Sequence, residues 1–177
     1  MLHDSLEISL WIKRFAELIP AGGRVLELAC GGGRHSRFLL ARGHPVLAVD
    51  RDTAGISDLA GTVGFEIMAI DLEDGRPWPL GGQQFAGVLV TNYLYRPHLP
   101  AIVGAVGAGG CLLYETFAQG NELMGKPSNL DFLLRPGELL EAVAGRLQVV
   151  AYENLRIDQP RPAMVQRIAA SRPAQQS

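Results

Sequence analysis

The run from Arg24 to His35, Arg-Val-Leu-Glu-Leu-Ala-Cys-Gly-Gly-Gly-Arg-His, constrains this chain more than any other. A brief apolar segment, Val25 to Ala29, is bounded by glycine on both sides and reads as a buried strand. Three consecutive glycines follow, and a helical pattern starts directly after them. Glycine has no Cβ, so a strand, glycine turn and helix in this order let a ligand lie against backbone that side chains would otherwise cover.

The remaining pattern repeats the alternation. Strands are expected over 45–49, ending at Asp50, over 65–70, ending at Asp71, over 85–91, with Asn92 and Tyr93 at its end, and over 111–117. Between them, helices are expected over 34–42, 53–60 and 99–106. A helix over 4–19 precedes them all. Asp4 and Glu7 have capping-box spacing there, and Ile8, Trp11, Phe15 and Leu18 recur at helical spacing. Residues 73–84 are rich in glycine and proline and read as a loop, while 118–135 has no clean period and reads as a long excursion. Pro136 is expected in the first turn of a helix running to Ala144. Segments 147–153 and 164–170 close the chain with no helix between them, so they should pair antiparallel. The expected fold class is therefore α/β: a Rossmann-like, doubly wound sheet of five parallel strands plus a C-terminal antiparallel hairpin, seven strands in all. Residues 1–170 should form one domain with an N-terminal helix, and 171–177 a frayed polar tail.

Composition narrows the class. A chain of 177 residues that is 47% hydrophobic can bury a sizeable core, which argues against disorder. A net charge of −2 gives no global signal for nucleic acid or an anionic membrane. No apolar run reaches the roughly 18 residues of a spanning helix. No secretory h-region opens the sequence, and only two cysteines, Cys30 and Cys111, occur, so a reducing, cytoplasmic location is expected. No His, Cys or Asp cluster has metal-ligand spacing, and Cys30 lacks a His or Asn partner, which makes it a small buried residue rather than a nucleophile. With no appended recognition domain, a small-molecule substrate is expected rather than a nucleic acid. The oligomeric state is not legible.

Four expected strand ends carry polar groups: Glu27, Asp50, Asp71, and Asn92 with Tyr93. Acids at strand ends suit ribose hydroxyls and cationic ligands, and they repel phosphates. A dinucleotide fingerprint would place a third glycine where Ser36 stands, and no phosphate-binding lysine follows the glycines. A ligand with a ribose, a base and a positive charge fits better.

The segments Val-Leu-Glu-Leu-Ala-Cys-Gly-Gly-Gly at 25–33, Val-Leu-Ala-Val-Asp at 46–50 and Ile-Asp-Leu at 70–72 resemble the class I S-adenosylmethionine-dependent methyltransferases. Within that class, Ala-Cys-Gly-Gly-Gly-Arg-His is similar to small bacterial tellurite-resistance-type methyltransferases, and the resemblance runs from Val25 to Ala170. It implies S-adenosyl-L-methionine as cofactor. By the same resemblance, Glu27 lies near the methionine amino group, and Ala29, Gly31 and Gly33 form the turn against which the cofactor lies. Asp50 grips the ribose hydroxyls, Arg51 flanks the adenine, and Asp71 and Leu72 contact its amino group and ring. Asn92 falls near the transferring methyl, and Asn92, Tyr93 and Tyr95 line the acceptor side as catalytic residues. One departure is Ala29, where the family has its first turn glycine. Glu115, Thr116 and the 118–135 excursion, with Asn121, Asn129, Phe132 and Arg135, should form the substrate wall. Methyl transfer from a sulfonium is an in-line displacement that a protein catalyses mainly by positioning. Two alternatives remain at this level: an NAD(P)-binding Rossmann enzyme, and a non-catalytic cofactor-binding protein of the same fold.

Overall fold

The computed structural model describes residues 7–175. Asp4, the expected cap, and the last two residues of the tail lie outside them. The first described helix, α1 (Leu10–Phe15), starts at Ser9, whose hydroxyl accepts from the Ile12 N–H, and a single 3-10 turn, Ala16–Leu18, extends it. α1 buries Trp11 and Ile12.

Seven strands form one sheet: β1 (Val25–Leu28), β2 (Val46–Asp50), β3 (Phe65–Ala69), β4 (Phe85–Thr91), β5 (Val106–Phe117), β6 (Gln148–Ile157) and β7 (Ala163–Ser171). Their order is β3-β2-β1-β4-β5-β7-β6. The first five pair parallel. β7 runs antiparallel to both neighbours, inserted between β5 and β6. The expected fold class is therefore the one observed. The chain moves outward from β1 through β2 to β3, then returns to place β4 on the other side of β1. That reversal is the switch point where open α/β sheets bind ligands.

Each face of the sheet carries its own core. One contains Leu26, Leu28, Val88, Val90 and Tyr114 under α3 (Leu99–Gly104) and α4 (Glu138–Val143), which contribute Ile102, Val103, Leu139 and Val143. The other contains Val25, Ala48, Leu89 and Leu113 under α1 and α2 (Arg34–Ala41).

Local boundaries depart from the sequence expectation in several places: the helix expected over 4–19 begins only at Leu10 among the described residues, the strand expected over 147–153 runs to Ile157, and the tail expected to fray from 171 keeps Ser171 in β7 and Arg172 bonded to Gly109 and Gly110. The helix expected over 99–106 ends at Gly104, because Val106 already pairs with Phe85 as the first residue of β5. A Cβ on Gly110 would stand 2.8 and 2.9 Å from the Ala86 and Phe85 carbonyl oxygens, so glycine lets the irregular start of β5 press against β4. The segment expected as a helix over 53–60 is a 3-10 turn, Ala54–Leu59. Pro136 is outside α4: Arg135 to Glu138 forms a turn closed by Glu138 N–H to Arg135 O at 3.0 Å, with Gly137 left-handed at φ 76. Proline followed by a left-handed glycine is the chemistry of a type II turn. Among the described residues no helix is long and apolar enough to cross a membrane.

Candidate functional site

A cavity of about 1730 Å³ opens over the carboxyl ends of the parallel strands. Its floor begins at the glycine turn. Ala29 leaves β1 at φ 50, Gly31 follows at φ 52, and Gly33 caps α2 at φ 73. Left-handed backbone is free for glycine but costs a residue with a Cβ about 1 kcal/mol, which Ala29 bears. The turn is buttressed from outside: a Cβ on Gly33 would come within 2.4 Å of Ile56 Cγ2, and Gly55 packs against the Gly32 backbone.

Asp50 joins this turn to β2. Its Oδ2 accepts the Gly31 N–H at 2.9 Å and its Oδ1 the Asp52 N–H at 3.0 Å. A carboxylate has about four lone-pair sites, so both oxygens keep capacity for hydroxyl donors. Asp71, at the neighbouring strand end, closes its own turn by accepting the Glu73 N–H at 2.8 Å. Asp50, Arg51, Asp71, Leu72 and Ala29 all line the cavity.

Glu27 does not line it. Its carboxylate is 2% exposed and is taken up by Ser36 Oγ, which donates to it, and by His35 Nδ1 at 3.5 Å. His35 Nε2 accepts the Ser9 N–H at 3.2 Å. These partners suit a neutral imidazole with its proton on Nδ1. Gly31 and Gly33 also stand outside the lining, as the frame rather than the surface.

At the end of β4, Asn92 turns left-handed at φ 54, donates its N–H to the Glu115 carbonyl and lines the cavity. Tyr93 lines it as well, but its buried hydroxyl has no hydrogen-bond partner among the described residues. Burial, then Glu73, Asp71, Tyr95 and Asp50, push that phenol well above its ordinary value, so it stays neutral. Tyr95 is not in the lining; its ring meets His98 edge-on, with centroids 4.9 Å apart.

The opposite wall is built from distant segments. Ser9 Oγ donates to Glu115 Oε1 at 2.7 Å, and Arg167 holds Glu115 Oε2 at 2.9 Å and Glu153 at 2.7 Å. Burial opposes the charge on Arg167, and the two carboxylates overcome it, raising its pKa. The Arg167 guanidinium also covers the Trp11 ring at 5.0 Å. Glu115, Thr116, Asn129 and Phe132 line the cavity as expected, whereas Asn121 and Arg135 do not. Asn121 instead ties the excursion down, donating to the Pro127 carbonyl and accepting the Met164 N–H. Sequence reasoning missed Ser9, Arg14 and the turn Asp158–Arg161, which also line the cavity. The only sequence signal for that turn was its proline content. Among the described residues no histidine or cysteine lines the cavity, and the buried Cys111 thiol is pushed up to about 12 by desolvation.

Residues 12–73 match the family model described as tellurite resistance protein TehB. No curated protein sequence matches the chain. Among solved structures, TehB from Haemophilus influenzae superposes with a TM-score of 0.71 at 17% identity, over 94% of this chain and 62% of that one. The 1,6-didemethyltoxoflavin-N1-methyltransferase of Burkholderia thailandensis, solved with 1,6-didemethyltoxoflavin and S-adenosylhomocysteine, gives 0.70 at 18% identity over 97% of this chain and 80% of that one. A TehB-like SAM-dependent methyltransferase from Corynebacterium glutamicum gives 0.64 at 21% identity, over 94% and 89% of the two chains. The chain thus spans less than two thirds of the Haemophilus protein, and these likenesses establish the methyltransferase fold.

Proposed function

We propose that this protein is an S-adenosyl-L-methionine-dependent methyltransferase acting on a small-molecule acceptor. The observation that carries the reading is the Asp50 carboxylate, fixed against the glycine turn by the Gly31 N–H at the switch point of the sheet, with accepting capacity to spare. The residues fit such a cofactor. Asp50 would accept from both ribose hydroxyls, Asp71 and Leu72 would meet the adenine, and Arg51 would flank it. Ala29 presents only a methyl where the methionine portion would pass. Glu27 acts from behind the turn, fixing the start of α2 to β1 through Ser36 and His35. When bound, the cofactor supplies an electrophilic methyl on a sulfonium. Asn92 stands where β4 meets that methyl position. Among the described residues the lining offers neither imidazole nor thiol, and both Glu115 oxygens are engaged, so these residues contribute orientation and exclusion of water. The Burkholderia neighbour, which holds S-adenosylhomocysteine beside a small acceptor, supports the small-molecule class, and the TehB match adds tellurite to the acceptors to be tested.

The test is calorimetric titration of S-adenosylhomocysteine into wild type and Asp50→Ala. Unpaired ribose hydroxyls should cost about 1–3 kcal/mol of binding. Unchanged affinity in a folded variant would sink the assignment.

A further inference from the structure

The cavity is electrically divided. Its nucleoside end sets Asp50, Asp71 and Glu73 against Arg51 alone. Its other end sets Arg14, Arg34, Lys126, Arg161 and Arg167 against Glu7, Glu115 and Asp158. Groups of both signs at that end are already committed in part: Arg167 to Glu115 and Glu153, Glu115 also to Ser9, Arg34 to the Glu7 carbonyl, and Asp158 to Arg156 at 3.2 Å. Lys126, in contrast, has no ion pair among the described residues.

Two of these cations are brought together from segments 35 residues apart. Arg161, on the β6–β7 turn, donates to the Lys126 carbonyl at 2.8 Å, and its guanidinium lies 5.4 Å from the Phe117 ring centroid. The hydrogen bond pins the turn to the excursion, so Lys126 and Arg161, both lining residues, share one wall of the cavity. Around them the lining mixes apolar surface, from Phe117, Pro127, Phe132, Pro160 and Val165, with the polar Ser128, Asn129, Asp158 and Gln159. A small inorganic ion would satisfy the cations and leave those walls wet. A ligand with a charged group on a flat apolar frame would satisfy both, and sites of this kind use few polar groups to fix the orientation of an apolar body.

Resting on the methyl-transfer reading above, we propose that the acceptor is a small organic anion, a carboxylate on an aromatic or apolar frame. Lys126 and Arg161 grip the carboxylate, and Phe117 and Phe132 cover the frame. The carboxylate is the anchor, and the cationic wall selects against neutral analogues of the same shape.

Benzoate, its neutral isostere benzamide, and tellurite serve as probes, titrated by calorimetry into the protein with and without saturating S-adenosylhomocysteine. Benzoate should bind about tenfold tighter than benzamide, the difference one charge-assisted hydrogen bond makes. Lys126→Gln and Lys126→Gln/Arg161→Gln should progressively erase that preference while leaving S-adenosylhomocysteine affinity unchanged. The single variant removes an exposed side chain without an ion pair, so its fold is not at stake. Equal binding of benzoate and benzamide would overturn the proposal, as would tellurite binding tighter than benzoate. Failure of S-adenosylhomocysteine to bind would sink the methyl-transfer reading instead, and the benzoate-to-benzamide ratio of the free protein would still decide the anion site.

Discussion

Ala29 and Tyr93 show how far single residues can carry conflicting demands. Ala29 accepts a left-handed backbone at φ 50 that a glycine would adopt without strain. Strain of this kind persists only where surrounding structure over-determines it, and here Ile56 and Gly55 close on the same turn. Tyr93 keeps a buried hydroxyl without a partner among the described residues, while its own carbonyl accepts from the Tyr114 hydroxyl at 2.7 Å. The two phenols should therefore respond oppositely to removal of the oxygen. Tyr93→Phe relieves an unpaired group and should be neutral or stabilising by up to about 1 kcal/mol, whereas Tyr114→Phe breaks a made bond and should cost about 1–2 kcal/mol. Urea unfolding of both variants beside wild type checks the contrast. Equal losses would show that the Tyr93 hydroxyl is satisfied in solution.

Among the elements, the excursion after β5 has its far end tied by one buried acid, Glu138. Glu138 opens α4 and receives Arg96 through both carboxylate oxygens, at 2.7 and 3.1 Å, as well as the Arg135 N–H at 2.8 Å. Arg96 spends its other donors on the Asp131 and Leu133 carbonyls, and Gln166 bridges the Leu139 N–H and the Arg135 carbonyl. The excursion is thus hung from α4 and β7 by charge and backbone bonds, with its fully buried Leu133 and Leu134 as the apolar anchor. Burial works against ionisation of Glu138, but the Arg96 bonds and the Arg135 N–H outweigh it and hold the carboxyl below its usual range. A depressed folded value means that the contribution is complete above the unfolded value of roughly 4.3 and is lost as the pH falls through the folded one. Glu138→Gln should therefore cost about 2–3 kcal/mol at pH 7, from an Arg96 left without its partner. The gap from wild type should shrink below roughly pH 4. Denaturant unfolding at both pH values measures it, and a pH-independent gap would remove the ion pair from the explanation.

Across the whole molecule, the sheet sets the β2 and β3 ends on one side of the switch point and the β4 end on the other, where α1, the excursion and the β6–β7 turn also line the cavity. Cofactor binding should consequently be felt globally. At a hundredfold excess over its Kd, S-adenosylhomocysteine should add about 2.7 kcal/mol of stability. For a domain of this size that raises Tm by roughly 5–10 °C. NAD at the same concentration should give no shift. A thermal melt with each ligand decides between them, and a shift with NAD alone would restore the dinucleotide alternative.

By itself the sequence determined the layered α/β class, the glycine turn and the acids at the strand ends, because these depend on short-range periodicity and on backbone conformations that only particular residues favour. Asp50 and Asp71 were legible for that reason: each is the polar residue that ends a continuous apolar run. Tertiary structure decided what those signals could not contain. It turned Glu27 away from the cavity toward His35 and Ser36, left Tyr95 against His98, and ended α3 early so that Val106 could pair with Phe85. It also placed β7 between β5 and β6, which carries the turn with Arg161 to Lys126. Contacts across 35 residues leave no local period in the chain; they exist only once the sheet has closed around them. The glycine turn thus fixes the floor of the cavity, and the packing of segments distant in sequence fixes what faces it.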